Sequence, residues 1–312
     1  CKSGVVRLRV ELLANGKVGN ITPICELPYG LTEQAAKAAK KIKYVPKKRN
    51  GIAISVTKTI EYTFTPDETG LFGTKIYQSD EKAEAVIQKA IQRLGGERYL
   101  AVKTATGRGN FTAMKENEAS LPSTFSDYIV YPDKERTEFK TGGVKTIQTN
   151  VGDGGWFADT GARVLKDQTP EQVADFKFSI RTGLDSFLRG NWRNEKDAKL
   201  EYVGRREASL GKRNEVVKLT YADGLAIEFE FAAQDGTPAK VSYNRPNVGA
   251  EESKEEDRFA QFVEVGGVFV PYIIDHYRNG KQTSRVNYES IRFNDPVPDA
   301  LFIKPKDIKK LK

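Results

Sequence analysis

The chain has 312 residues, a mean hydropathy of −0.54 and 38% hydrophobic residues, enough for two domains or one large one. No stretch approaches the roughly 20 apolar residues of a spanning helix. Two cysteines exclude a disulfide-dense scaffold and a four-cysteine zinc site, and a single histidine, His276, leaves little room for histidine-based metal or triad chemistry. The net charge of +8 is localised: residues 1–66 hold 12 Lys/Arg against 4 Asp/Glu, and the rest of the chain holds 38 of each.

The chain opens at Cys1 rather than at a methionine, so it is expected to be processed or a fragment. An amino-terminal cysteine is what lipoprotein processing leaves. Lipidation at Cys1, a truncation there, and a Cys1–Cys25 disulfide in an oxidising compartment all stay open.

Val6, Leu8, Val10 and Leu12 alternate with Arg7, Arg9 and Glu11, the period of a half-buried strand. Asn15-Gly16 signals a hairpin, and the return strand runs through Val18, Ile21 and Ile24. A helix follows, with Thr32 as its N-cap and Glu33 in its first turn. Ala35, Ala38, Ala39 and Ile42 form its stripe, and Pro46 stops it. Ile52, Ile54, Val56, Ile60, Tyr62 and Phe64 then share one face of a strand that Lys58 breaches. The reading over residues 1–66 is β-β-α-β, with one helix covering one face of a small antiparallel sheet. The basic run Lys37, Lys40, Lys41, Lys43, Lys47, Lys48 and Arg49 reads either as a solvated face or as contact with an anionic membrane, a cell-wall surface or an acidic protein. It carries no aromatic interleaving and no helix-turn-helix signature, so nucleic acid is not expected.

Residues 67–79, within the turn-rich "TPDETGLFGTKIYQSD", read as a linker, and 80–312 as a second domain. A helix begins near Asp80, buries Ala83, Val86, Ile87, Ala90, Ile91 and Leu94, and ends at Gly95-Gly96. Turn dipeptides then recur at Gly142-Gly143, Asp153-Gly154, Asp223-Gly224, Asp235-Gly236, Gly266-Gly267 and Asn279-Gly280, between alternating segments such as "LAIEFEF" and "VFVPYIIDHY". Consecutive hairpins imply one large antiparallel sheet. One helix interrupts it: Thr169-Pro170-Glu171-Gln172 is a capping box with proline in the first turn, and Val173, Phe176, Ile180, Leu184 and Phe187 form its stripe.

Signatures of catalysis are missing. "GRGN" (107–110) and "GDGG" (152–155) lack the Lys-Ser/Thr of a phosphate loop and read as turns. The acidic run Glu251, Glu252, Glu255, Glu256 and Asp257 lacks a calcium-loop pattern and reads as a solvated loop. His276 has Asp275 as its neighbour, but neighbours on a strand point to opposite faces, so it reads as a sheet histidine. No enzyme, cofactor or metal is expected.

Two resemblances add to this reading. "GVVRLRVELLANGKVGNITPI…LPYGLTEQAAKAAKKIKYVPKKRNGIAISVTKTIEYTF" resembles the C-terminal domain of TonB-type energy transducers. That implies an envelope interaction module, able to pair with an extended partner segment by strand addition. "AEAVIQKAIQRLGGERYLAVKTATGRGNFT", "DYIVYPDKERTEF", "NVGDGGWFAD", "VVKLTYADGLAIEFEF" and "IRFNDPVPDALFIKP" together resemble LolA/LolB-type lipoprotein carriers. This implies a large, strongly curved antiparallel half-barrel with a helical lid, and hence an α+β protein overall. Such a fold takes an acyl chain or lipoprotein between sheet and lid, which gains about 0.8 kcal/mol per buried methylene. The candidate lining residues are Trp156, Phe157, Phe176, Ile180, Leu184, Phe187, Phe229, Phe231, Phe269, Tyr272 and Ile274. The expectation is a non-enzymatic envelope protein, periplasmic or at the outer membrane or cell surface of a Gram-negative-type bacterium, that carries a lipid and docks to an envelope partner. The alternative is an assembly subunit whose half-barrel is filled.

Overall fold

A computed structural model describes residues 5–26, 31–49, 51–63, 77–115, 118–247 and 250–311. The chain separates into two units, residues 1–75 and 76–312. In the first, β1 (Val5–Leu12), β2 (Val18–Cys25), α1 (Leu31–Ala39), β3 (Lys47–Arg49), β4 (Ile52–Ile54) and β5 (Val56–Thr63) follow in order. Strand β1 pairs antiparallel with β2 on one side and β5 on the other. Being central, it buries Val6, Leu8 and Val10 completely. Ala35 and Ala39 of α1 are buried against this sheet core, where methyl side chains keep the helix close. The Tyr44 hydroxyl lies 2.5 Å from the Leu13 carbonyl and 2.8 Å from that of Lys17, which ties the segment after α1 to the β1–β2 hairpin.

The details differ from the sequence reading in four places. Helix α1 starts at Leu31, so Thr32 sits in its first turn rather than at its cap, and it ends at Ala39, well short of Pro46. Register shifts between β1 and β2 leave Ile24 44% exposed and give the buried position to Cys25. The short β3–β4 pair stands between helix and last strand, which the expected β-β-α-β order lacks. Phe64 and most of the expected linker lie outside the described residues, but Gln78 and Ser79 pair with Lys199 and Leu200 and so belong to the second unit's sheet.

The second unit runs β6 (Gln78–Ser79), α2 (Glu81–Leu94), α3 (Glu97–Leu100), β7 (Thr104–Lys115), β8 (Glu118–Ala119), β9 (Ser123–Val130), β10 (Lys134–Thr141), β11 (Val144–Val151), β12 (Gly154–Asp159) and β13 (Val164–Asp167). Then come α4 (Pro170–Thr182), α5 (Leu184–Leu188), β14 (Lys199–Ser209), β15 (Lys212–Thr220), β16 (Ala226–Ala232), β17 (Pro238–Asn247), β18 (Ala250–Val265), β19 (Val268–Arg278) and β20 (Lys281–Phe293). Among the described residues these strands form one open sheet in the order β13-β12-β11-β10-β9-β7-β20-β19-β18-β17-β16-β15-β14-β6, with β8 attached to β7. The ladders are antiparallel except β6–β14. Two runs of hairpins therefore meet at β7 and β20.

Helix α2 is capped by Asp80, whose carboxylate accepts the Lys82 N–H at 2.8 Å. It ends at Gly95 with φ 123°, where a β-carbon would collide with the Gly267 carbonyl. Both reciprocal bonds of the Thr169–Gln172 capping box form at the start of α4. The helix expected to continue through Phe187 instead breaks at Gly183, whose extended backbone separates α4 from α5. The core packs α2 and α5 on β14–β17. Phe187 stacks on Phe229 with ring centroids 3.7 Å apart and planes 8° apart, beside the buried Trp192 and Phe231. A smaller cluster gathers Ile147, Trp156 and Ala158.

Two segments read as turn and loop are strand. "GRGN" lies in the middle of β7, and only Gly152-Asp153 of "GDGG" is a turn. The acidic run belongs to β18, where three of its carboxylates are paired: Glu255 with Arg278 (2.7 Å), Glu256 with Arg258 (2.8 Å) and Asp257 with His276 (2.5 Å). Cross-strand partners on β19, invisible to a local reading, give Glu255 and Asp257 a place in the ladder, while Arg258 holds Glu256 from the same strand.

Candidate ligand cavity

A cavity of about 470 Å³ opens on the middle of the large sheet, within the range of roughly 300–1,000 Å³ usual for small-molecule sites. The period of two along each strand brings its floor together: Ala105 and Gly107 of β7, Asp127 and Ile129 of β9, Ile274 and His276 of β19, and Ile291 and Phe293 of β20. Phe259, Phe262 and Phe269 extend the apolar wall. Leu94, Tyr99, Ser179, Gly183, Leu184 and Asp185 supply the helical side from α2, α3, α4 and α5. An adjoining cavity of about 220 Å³ is lined by Phe176 and Ile180 and shares Ile129, Tyr131, Glu135 and Asp185 with the first.

Glycine shapes the floor. Gly107 lies opposite both Asp127 and Ile291 in the ladders. A β-carbon there would sit 2.6 Å from Cε1 of Tyr288. The bare backbone thus lets the Tyr288 ring cross β7, and its hydroxyl donates to Asp127 Oδ2 at 3.1 Å.

The polar groups fall into three sets. Tyr99 donates to Asp185 at 2.7 Å and Arg189 Nε donates to the same carboxylate at 2.6 Å. Arg189 also donates to the carbonyls of Tyr99, Leu100 and Val102 and lies 4.1 Å from the Tyr131 ring centroid. His276 and Asp257 face each other across the β18–β19 ladder with Nδ1 and Oδ1 2.5 Å apart. Burial disfavours the imidazolium, but the Asp257 hydrogen bond and charge outweigh it, and the His276 pKa is raised. The third set is Asp127 and Glu135. Burial pushes Asp127 up to about 6, partly offset by the Thr137 and Tyr288 hydroxyls. Burial and then the charge of Asp127 push Glu135 up to about 7. Thr137 stands opposite Asp127 on β10 and donates its hydroxyl to Glu135 at 3.3 Å. Asp127 Oδ1 and Thr106 Oγ1, on residues that line the cavity, are buried without a hydrogen-bond partner.

Of the expected lining residues, Leu184, Phe269 and Ile274 line the main cavity and Phe176 and Ile180 the adjoining one. Phe187, Phe229 and Phe231 are core. Trp156 is buried in the smaller cluster and donates to the Phe302 carbonyl at 2.8 Å. Phe157 lies under Lys166, and Tyr272 meets the ring of Tyr288. The sequence reading missed Asp127, Glu135, Tyr131 and Tyr288. The signal was present: Phe125, Asp127 and Ile129 share one strand face, so a carboxylate lies in an apolar row. Among the described residues no cluster of His, Cys, Asp and Glu could hold a metal. In the small unit, Lys37, Lys40, Lys41, Lys43, Lys47, Lys48 and Arg49 are all exposed. Cys25 is buried and disulfide-bonded, while Cys1 lies outside the described residues.

Residues 2–66 match the family model of the Gram-negative bacterial TonB protein C-terminal. No curated protein matches the chain. Among solved structures, a DUF1329 family protein from Desulfovibrio piger is similar with a TM-score of 0.51 at 11% identity, over 72% of this chain and 98% of that one. A LolA superfamily protein from Nitrosomonas europaea is similar with a TM-score of 0.47 at 12% identity, over 71% of this chain and 97% of that one. The chain thus joins a module of the TonB C-terminal type to a large unit that shares its fold with the DUF1329 protein.

Proposed function

We propose that this is a non-enzymatic cell-envelope protein whose large unit carries an acyl chain or lipoprotein lipid, as a half-barrel under a helical lid. The TonB-type unit docks it to an envelope partner in the periplasm or at the outer membrane. The observation that carries the reading is the 470 Å³ cavity with Phe259, Phe262, Phe269, Ile274 and Phe293 in its wall, where each buried methylene gains about 0.8 kcal/mol. In the small unit β2 and β5 pair only with β1 among the described residues. Each offers an outer edge for strand addition by an extended segment. The exposed lysines of residues 37–49 would aim that unit at an anionic surface.

Native mass spectrometry of gently purified protein, together with binding of an uncharged naphthylamine dye, tests the carrier reading. Co-purified lipid, or saturable dye binding weakened by Leu184→Trp, supports it. No lipid and no dye binding overturn it. A second reading, an assembly subunit with a filled half-barrel, is favoured by one observation: Phe187, Phe229 and Phe231, expected in the lining, are packed core. That reading takes over if the first fails.

A further inference from the structure

The cavity wall holds four carboxyl side chains, Asp127, Glu135, Asp185 and Asp257, one histidine, and among the described residues no lysine or arginine. Two of the four are accounted for. Asp185 is held by Tyr99 and Arg189, and Asp257 by His276. Asp127 and Glu135 have no cationic partner among the described residues. Among the described residues their hydrogen-bond donors are the single hydroxyls of Tyr288 and Thr137. Asp127 Oδ1 and the neighbouring Thr106 Oγ1 are buried with no partner at all. The groups facing this pair are Tyr288 from β20, Tyr131 after β9, Thr137 from β10, and on the helical side Tyr99 and the Asp185–Arg189 pair. Buried carboxyls without a cation either hold a proton or wait for a positive charge. A ligand carboxylate placed beside them meets like charge.

We propose that the ligand of this cavity is an amphiphile whose polar end is an ammonium group, seated between Asp127 and Glu135 with its chain along the Phe259–Phe262–Phe293 wall. This rests on the carrier reading and specifies the head group it selects. Burial that raises both acids also makes the preference depend on pH: a cation seated beside them releases their protons, so the gain is largest above about pH 7 and shrinks as both acids protonate.

Displacement of the uncharged dye by dodecylamine, dodecanol and dodecanoate, each below its micelle concentration, tests it. At about pH 8 the amine should displace the dye at about tenfold lower concentration than the alcohol, and dodecanoate should be the weakest of the three. At about pH 5 the amine's advantage should shrink. In the Asp127→Asn, Glu135→Gln double variant the amine should lose its advantage over the alcohol. Dodecanoate equal to or better than the amine at about pH 8, or an amine preference that survives in the double variant, overturns the proposal. If all three chains displace the dye equally, the head-group inference fails and the carrier reading stands. If none does, and the dye itself does not bind, the carrier reading fails.

Discussion

The ring of Tyr288 occupies the space that a β-carbon on Gly107 would need, 2.6 Å from its Cε1. This overlap lets a tyrosine on β20 reach across β7 to Asp127 on β9. Gly107→Ala should push the ring away and destabilise the large unit by about 1–3 kcal/mol, the ordinary penalty of overpacking. The measurement is a lowered urea midpoint at unchanged slope. An alanine variant with the parent's midpoint would mean that the ring does not depend on the bare backbone.

Asp127 and Glu135 make stability depend on pH in a stated direction. Their folded values, about 6 and about 7, lie above the ordinary 3.8 and 4.5, so the folded chain holds protons that the unfolded chain has released. Their contribution is fully favourable below about pH 4 and is lost as pH rises towards 7. Each acid accounts for on the order of 3 kcal/mol at most. The double variant Asp127→Asn, Glu135→Gln should therefore be more stable than the parent near pH 8, with the difference vanishing near pH 4. Parallel melting curves for parent and variant across that window would refute the assignment.

His276 shifts stability in the same direction, through an ion pair rather than through burial. Its folded pKa lies above the ordinary 6.5 because Asp257 outweighs burial. The pair stabilises the fold fully below the unfolded value and loses that contribution as pH rises through the folded one. An NMR titration of the only histidine should give a midpoint above 6.5. In Asp257→Asn, with burial left to dominate, the midpoint should fall well below the parent's.

Core and cavity residues should separate on substitution. Phe187→Ala removes a ring stacked on Phe229 in the core and should cost about 3–5 kcal/mol. Leu184, one turn earlier on α5, lines open space. Leu184→Ala should cost less and instead change dye affinity. Equal stability losses would place both in the core.

The basic segment makes a fifth measurable claim. Binding of the whole chain to vesicles rich in anionic lipid should weaken between low and physiological salt, where the Debye length falls to about 8 Å. Neutralising Lys40, Lys41, Lys47 and Lys48 should abolish that salt dependence. Unchanged binding would leave these lysines as a solvated face.

What the sequence disclosed followed from locality. The strand period at Val6–Leu12, the capping box at Thr169–Gln172 and the turn dipeptides each depend on residues within a few positions of one another, and each is read directly. The cavity does not. Leu184, Phe269 and Ile274 are recognisable as apolar, but nothing local separates them from Phe187 and Phe229, which became core because α5 lies on β16. Asp127 and Glu135 were legible only as charges on an apolar face. Their meeting with Tyr288 depends on the β9–β7–β20 ladder, and "GRGN" reads locally as a turn because what its glycines make room for, the Tyr288 ring and the β20 backbone, lies far away in sequence.

That ladder orders events as well as residues. Strands β7 to β13 and β14 to β20 each form by neighbouring hairpins, and the β7–β20 ladder joins the two runs. The cavity straddles this seam, with Asp127 and Ile129 on one bank and Tyr288, Ile291 and Phe293 on the other. Local hairpins form early, and contacts between distant parts of a chain form late. Neither half of the sheet encloses the cavity alone, so that cavity comes into existence only when folding of the unit is complete.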